Sequence, residues 1–206
     1  MTSTIRLLEG EPVTKKVLDV LDLAGFNNLM IVAHSDDEVF WGGRFLLEGG
    51  WLVLCMTSGV DAREKSIRPL EFKNAVDFCG NRGLILSHYD SMDVGFGTTL
   101  PAAAQDTKTV LRYKPWKKIV THGCSGEYGH IQHIQTSEIV TKQAKSLKIE
   151  KTVWHFVYPG TERTVDEATE QRLNDLVGCY PSQKAVTCPY VYHLGVQDII
   201  RLKNHP

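Results

Sequence analysis

No stretch of this sequence is apolar for long enough to span a bilayer, and its start, MTSTIRLLEGEPVTKK, lacks the basic residues and apolar run of a secretory signal. A membrane anchor and export are therefore not expected, and the expectation is a soluble, cytoplasmic protein. Neither sign of charge dominates: 23 lysines and arginines face 24 aspartates and glutamates, a formal net charge of -1. Such a balance provides no field to draw in nucleic acid or an anionic membrane, and it suits a small neutral or mildly polar ligand better. Paired cysteines are missing too. The five present (Cys55, Cys79, Cys124, Cys179, Cys188) are scattered, without a C-x-x-C pair or the spacing of a disulfide framework, and read as reduced thiols. Internal repeats, low-complexity tracts and linkers are absent as well. With 206 residues, 42% of them hydrophobic, the chain has material for one core and one domain spanning 1–206.

What is present alternates. Short apolar runs rich in β-branched residues at 29–33, 52–57, 84–87, 118–121 and 152–158 are separated by segments with helical spacing at 13–23, 40–48, 69–79, 107–113, 131–146 and 166–179. None of the runs shows the in-and-out alternation of a half-exposed strand. This pattern predicts an α/β fold, a single-domain Rossmann-like layering of a mostly parallel sheet flanked by helices. In such sheets ligands bind beyond the carboxyl ends of the strands, so residues just after a strand are the ones to inspect.

Two places stand out. The first run leads into His34-Ser35-Asp36-Asp37-Glu38, then Phe40, Trp41 and a Gly42-Gly43 pair. So many acids beside a core strand need compensation from cations, a metal ion or helix amides. Adjacent aspartates at a helix start diverge, so one can bind a metal while the other addresses its water; equally, Ser35, Asp36 and Asp37 can simply cap the helix. The fourth run leads into THGCSGEYGHIQH, where His122, His130 and His133 follow an apolar strand through a loop made irregular by Gly123, Gly126 and Gly129. His130 and His133 stand three apart near a helix start and can point into one cleft, although such pairs also occur on helix surfaces with no ligand. Both clusters fall at the carboxyl ends of predicted parallel strands, on one edge of the sheet. A pyrophosphate-binding turn is disfavoured, because the first loop lacks the glycine spacing and its acids would repel the ligand.

The segment AHSDDE followed by GG, together with GEYGHIQH, resembles the LmbE/PIG-L family of zinc-dependent N-acetylglucosaminyl deacetylases. The likeness runs over about residues 28–146, including Thr57-Ser58-Gly59 and Arg68-x-x-Glu71, and extends to YPSQ at 180–183. It implies that His34, Asp37 and His133 hold Zn2+, that Asp36 is the general base, and that His130, with Tyr128, stabilises the oxyanion. Arg68 would reach substrate hydroxyls or phosphate, or else pair with Glu71 on the helix surface. The implied reaction is removal of an acetyl or acyl group from an N-acetylated amino sugar or glycoconjugate. Alternatives are a related amidase acting on a non-sugar or thiol-conjugate amide, and a non-catalytic carbohydrate-binding protein. One carboxylate and two imidazoles also suit iron(II) or another divalent ion. His130 would need Glu127 or Asp36 beside it to remain a cation, or would act as a neutral imidazole. His122 would back the metal or cap its strand. Trp41, Trp51 and Trp116 could stack on a sugar or pack the core. Ser35 replaces the family's usual proline and would supply a capping hydroxyl; Val60 stands where glutamate is common.

Overall fold

The computed structural model describes residues 4–89, 94–157, 165–183 and 198–201. All five predicted runs form strands: β2 (Asn28–His34), β3 (Trp51–Thr57), β4 (Arg82–Ile85), β5 (Lys118–Thr121) and β6 (Val153–Val157). Tyr158, at the end of the fifth run, lies outside the described residues, as does Cys188. Two edge strands, β1 (Ile5–Leu7) and β7 (Asp198–Ile200), escape a reading of the sequence, since three residues are too few to show a period. The sheet order is β1-β4-β3-β2-β5-β6-β7, parallel throughout except for the antiparallel β6/β7 pair.

The missing alternation has a direct cause. Along β2, Leu29 and Ile31 enter one core while Met30 and Val32 enter the other, so both faces of the strand are dry. The first core is covered by α1 (Lys15–Asp19), α5 (Leu100–Tyr113) and α7 (Ile131–Ser146), through Leu18, Val110 and Val140. The second is covered by α2 (Asp37–Phe40), α3 (Gly43–Leu46), α4 (Ala62–Phe78) and α8 (Glu167–Val177), through Phe40, Phe45, Phe72 and Leu173. The result is the layered Rossmann-like α/β fold that the alternation predicts.

Helix α7 occupies the predicted span; others differ for local reasons. The helix expected over 40–48 is broken in two at Gly42, where a Cβ would sit 2.5 Å from Met30 Cε and 3.0 Å from the Glu38 carbonyl oxygen. Glycine lets this segment lie directly on β2. Helix α4 starts seven residues before Pro69, because Asp61 Oδ1 accepts from the Glu64 amide (2.8 Å) while Glu64 Oε2 accepts from the Val60 amide (2.9 Å), a reciprocal cap. Cys55, Cys79, Cys124 and Cys179 are free thiols. Among the described residues no helix is long and apolar enough to cross a membrane.

Strand β2 lies between β3 and β5. The chain leaves β2 toward β3 and β4 on one side and later returns to β5 and β6 on the other. The crevice opened by that reversal lies at the carboxyl ends of β2 and β5, the strands that lead into the two suspect clusters.

Candidate metal centre

Beyond β2 the chain does not make the capped helix start that is the bland reading of His34 to Glu38. Helix α2 is a single turn, no side chain caps it, and the buried Ser35 hydroxyl has no partner. The expectation that Ser35 caps is therefore wrong: the amides of Val39 and Phe40 bond the Asp36 carbonyl instead. Asp36 takes φ 132, a left-handed conformation that costs a non-glycine residue energy and persists only where surrounding contacts impose it. The twist turns the two aspartates apart. Asp37 folds back on the strand end, its Oδ2 accepting from the His34 amide (2.8 Å) and its Oδ1 from Trp41 Nε1 (3.1 Å).

Beyond β5 come His122 and a short segment, α6 (Gly126–Gly129), whose Glu127 has φ 56 and whose backbone is not helical there. His130 then caps α7, its Nδ1 accepting from the Gln132 amide (3.2 Å). Glu127 turns inward. Its Oε1 accepts from the Gly123 amide (2.7 Å), and its Oε2 faces both His133 Nδ1 (2.6 Å) and His122 Nδ1 (2.8 Å). Burial opposes ionisation of Glu127, but the two imidazoles prevail and hold it down to about 2.

The two segments meet. His34 Nδ1 lies 3.1 Å from Asp37 Oδ2, His133 Nε2 lies 3.3 Å from Asp37 Oδ1, and the two ring nitrogens are 3.2 Å apart. Each histidine has its other nitrogen on an acceptor, His34 Nε2 on Gln132 Oε1 (2.7 Å) and His133 Nδ1 on Glu127. Those outer bonds suit the tautomer that carries each ring proton on the far side, and in that tautomer two bare nitrogens face each other and a carboxylate. Three acceptors at this distance repel unless a cation sits among them. A tetrahedral ion with ligand distances of about 2.0–2.1 Å needs donors about 3.3 Å apart; the imidazole nitrogens meet that spacing, while Asp37 meets it through a different oxygen for each histidine. Burial opposes charge on Asp37, yet His133, His122 and His34 hold its carboxyl well below the usual range. His133 is likewise driven upward by Asp37 in spite of burial. The field around this point favours positive charge.

Two further donor combinations overlap it: Asp37, His122 and His133, and His34, His130 and His133, each within 4.8 Å. His122 is poorly suited to ligate. Burial resists its charging, while the carboxylates of Glu127 and of Asp37, the latter 3.4 Å from Nε2, favour it. The Ala33 amide nevertheless donates to His122 Nε2 (3.0 Å), which requires that nitrogen bare and already uses its lone pair. Geometry thus makes His122 a support behind the site, stacked on His133 with ring centroids 3.9 Å apart.

Asp36 points elsewhere, onto Arg68 Nη2 at 2.7 Å. Burial pushes its carboxyl up to about 7 against the pull of that guanidinium. Arg68 is buried, pairs with Asp36 and lies 3.8 Å from Glu64, so the alternative reading of it as a surface partner of Glu71 does not hold. Glu71 instead accepts from the amide (2.8 Å) and hydroxyl (2.6 Å) of Ser182. Glu38 Oε2 accepts from the Asp36 amide (3.0 Å), and Glu38 Oε1 takes the hydroxyl of buried Tyr180. The YPSQ turn is thus bolted by two carboxylates to the segments carrying Asp36 and Arg68.

The choice left open for His130 is decided by its surroundings. Glu127 is spent on His122 and His133, and Asp36 on Arg68, so neither serves as its counter-ion. Burial, with His34 and His133 beside it, holds its imidazole down at about 4. With Nδ1 accepting from the Gln132 amide, a neutral His130 has Nε2–H left to donate. Half-exposed Tyr128 stands over the cluster, its ring 5.4 Å from that of His133 and 5.8 Å from that of His130. Trp51 and Trp116 are core residues, and Trp41 serves Asp37. That role was missed, although Trp41 stands four residues after Asp37, the spacing at which helical side chains meet.

No family model matches the chain. Protein L374 of Acanthamoeba polyphaga mimivirus is 30% identical over 129 residues, 55% of this chain and 56% of that protein, so the chain spans little more than half the length of this curated relative. Among solved structures, the antimicrobial reagent A40926 pseudoaglycone deacetylase Dbv21 superposes with a TM-score of 0.61 at 17% identity, covering 80% of this chain and 85% of that one. The conserved protein TT1542 from Thermus thermophilus superposes with a TM-score of 0.56 at 14% identity, covering 88% and 98%. At these identities the likeness to solved structures is one of fold.

Proposed function

We propose that this chain is a metal-dependent amide hydrolase of the LmbE/PIG-L kind, a single domain over 1–206 that removes an N-acetyl or other N-acyl group from an amino sugar or sugar conjugate. The observation that carries the reading is the convergence of His34 Nδ1, Asp37 and His133 Nε2 at 3.1–3.3 Å, with Asp36 adjacent but aimed away from them. A fold shared with a pseudoaglycone deacetylase supports it.

In this reading His34, Asp37 and His133 hold Zn2+, or another first-row divalent ion. When bound there, the ion supplies Lewis acidity, polarising the amide carbonyl and making water acidic near neutral pH. Asp36 takes the proton of the attacking water, a task for which a carboxyl near 7 is well matched. His130, as a neutral imidazole, donates Nε2–H toward the oxygen on which negative charge develops, and Tyr128, its ring 5.8 Å from that of His130, is the second donor in this reading. Asp36 then returns its proton to the departing amine, so one carboxyl serves as base and acid. Arg68 keeps Asp36 in place, and any contact it makes with substrate adds to that task.

A second substrate class stays in view for a specific reason. Trp41, Trp51 and Trp116 are all buried, so none offers an open face to a sugar. An acylated non-sugar amide fits the same centre. Acetate release across a panel of N-acetyl sugars and non-sugar acyl amides, with metal analysis on the same samples, tests both; no release from any amide by metal-replete protein would refute the hydrolase.

A further inference from the structure

We propose that Glu127 is the positioning residue of the metal centre: its Oε2 fixes the ring of His133, and His122, clamped between Glu127 and β2, holds that carboxylate in place. The inference rests on the reading that His133 is a metal ligand. It assigns the two buried groups of the centre that neither ligate nor meet substrate.

Five contacts carry it. The shared oxygen lies 2.6 Å from His133 Nδ1 and 2.8 Å from His122 Nδ1, so a single acceptor sets the proton of both rings. Glu127 Oε1 is held by the Gly123 amide at 2.7 Å, which stops the carboxylate from rotating. His122 Nε2 takes the Ala33 amide at 3.0 Å, tying the clamp to the residue before His34. The rings of His122 and His133 stack with centroids 3.9 Å apart and 24° between planes, so neither ring can swing alone. Glu127 holds φ 56 to make these contacts. Glycine or asparagine adopts such a backbone at less cost, so the carboxylate itself is what the position requires. A carboxylate behind a ligating imidazole fixes its tautomer and orientation and raises its basicity, and its loss typically weakens metal binding about 10–100-fold. His34, by contrast, is backed only by the neutral amide of Gln132, so Glu127 is the sole anionic support seen behind a ligand ring among the described residues.

The test is zinc affinity of the full chain, stripped of metal and titrated against a chromophoric chelator, with folding followed by circular dichroism and thermal melting. Glu127→Gln is expected to remain folded, to bind about one zinc per chain and to bind it about 10–100-fold more weakly. Its cobalt-loaded form should show an altered visible absorption band, a readout that a loop-holding role alone would leave unmoved. An affinity within twofold of wild type overturns the proposal, whatever happens to the melting temperature. If Glu127→Gln does not fold, Glu127→Asp decides: it keeps the charge, withdraws it by one methylene, and should weaken binding at least threefold. Wild-type protein that binds zinc but hydrolyses no amide would sink the proposed function and leave this inference standing. Active wild type with unchanged affinity in both variants would do the reverse, and wild type that binds no divalent metal refutes both.

Discussion

Replacing Asp36 by asparagine separates chemistry from structure. The side chain keeps its size, and its amide oxygen can still accept from Arg68 Nη2, now 2.7 Å from the carboxylate. Two losses follow. Without a base, the rate should fall by the factor of about 10²–10⁴ that general-base catalysis supplies, equivalent to about 3–5 kcal/mol in the barrier. Arg68 keeps its charge while only 6% exposed, with Glu64 at 3.8 Å as its nearest remaining carboxylate. Removing one partner of a buried pair costs about 3–5 kcal/mol; the retained hydrogen bond brings this to about 1–3 kcal/mol. For a chain of this size that is a melting point lowered by about 2–12 °C, within what a stable domain survives. Metal content should not change, because Asp36 Oδ2 is directed at Arg68 and takes no part in the His34, Asp37 and His133 cluster. Single-turnover acetate release, metal analysis and a thermal melt on one preparation read all three quantities. Turnover within threefold of wild type would remove Asp36 as the base, and loss of metal would move it into the ligand set.

His133→Ala should lose nearly all metal at micromolar zinc, and unchanged metal content would shift the third ligand to His130 or His122. His130→Ala should retain metal and lose about 10²–10³ in kcat, the usual cost of an oxyanion donor; an effect confined to KM would make it a binding residue instead. Tyr180→Phe strips Glu38 of its hydroxyl partner in a fully buried setting, so stability should drop by about 1–3 kcal/mol, readable as a shift in urea midpoint; an unchanged midpoint would show that Glu38 is not held by this bond. Gly42→Ala brings a methyl to 2.5 Å from Met30 Cε and should destabilise by about 1–3 kcal/mol, with differential scanning calorimetry as the check and an unaltered melt as the contrary result.

Local pattern carried a good deal of this. The runs buried on both faces, the span of α7 and the placing of two polar clusters after β2 and β5 all follow from side-chain order, because strand burial and helix periodicity are written in neighbouring residues. The resemblance named His34, Asp37 and His133, and the fold brings those three together. What neighbouring residues cannot express is pairing across the chain. Tyr180 is 142 positions from Glu38, Ser182 is 111 from Glu71, and Arg68 is 32 from Asp36; no spacing rule reaches that far. For the same reason the sequence offered Glu127 only as one candidate counter-ion for His130, and Trp41 as a core or sugar-stacking residue, without the contacts Glu127 makes to His133 and Trp41 makes to Asp37. Composition and order determined that this chain would be a layered α/β protein with acids and histidines at one edge of its sheet. Only the tertiary structure decided which carboxylate meets histidines and which meets an arginine, because that division depends on the left-handed turn at Asp36, on the placing of Arg68 in α4, and on the reversal between β2 and β5 that sets His133 beside Asp37.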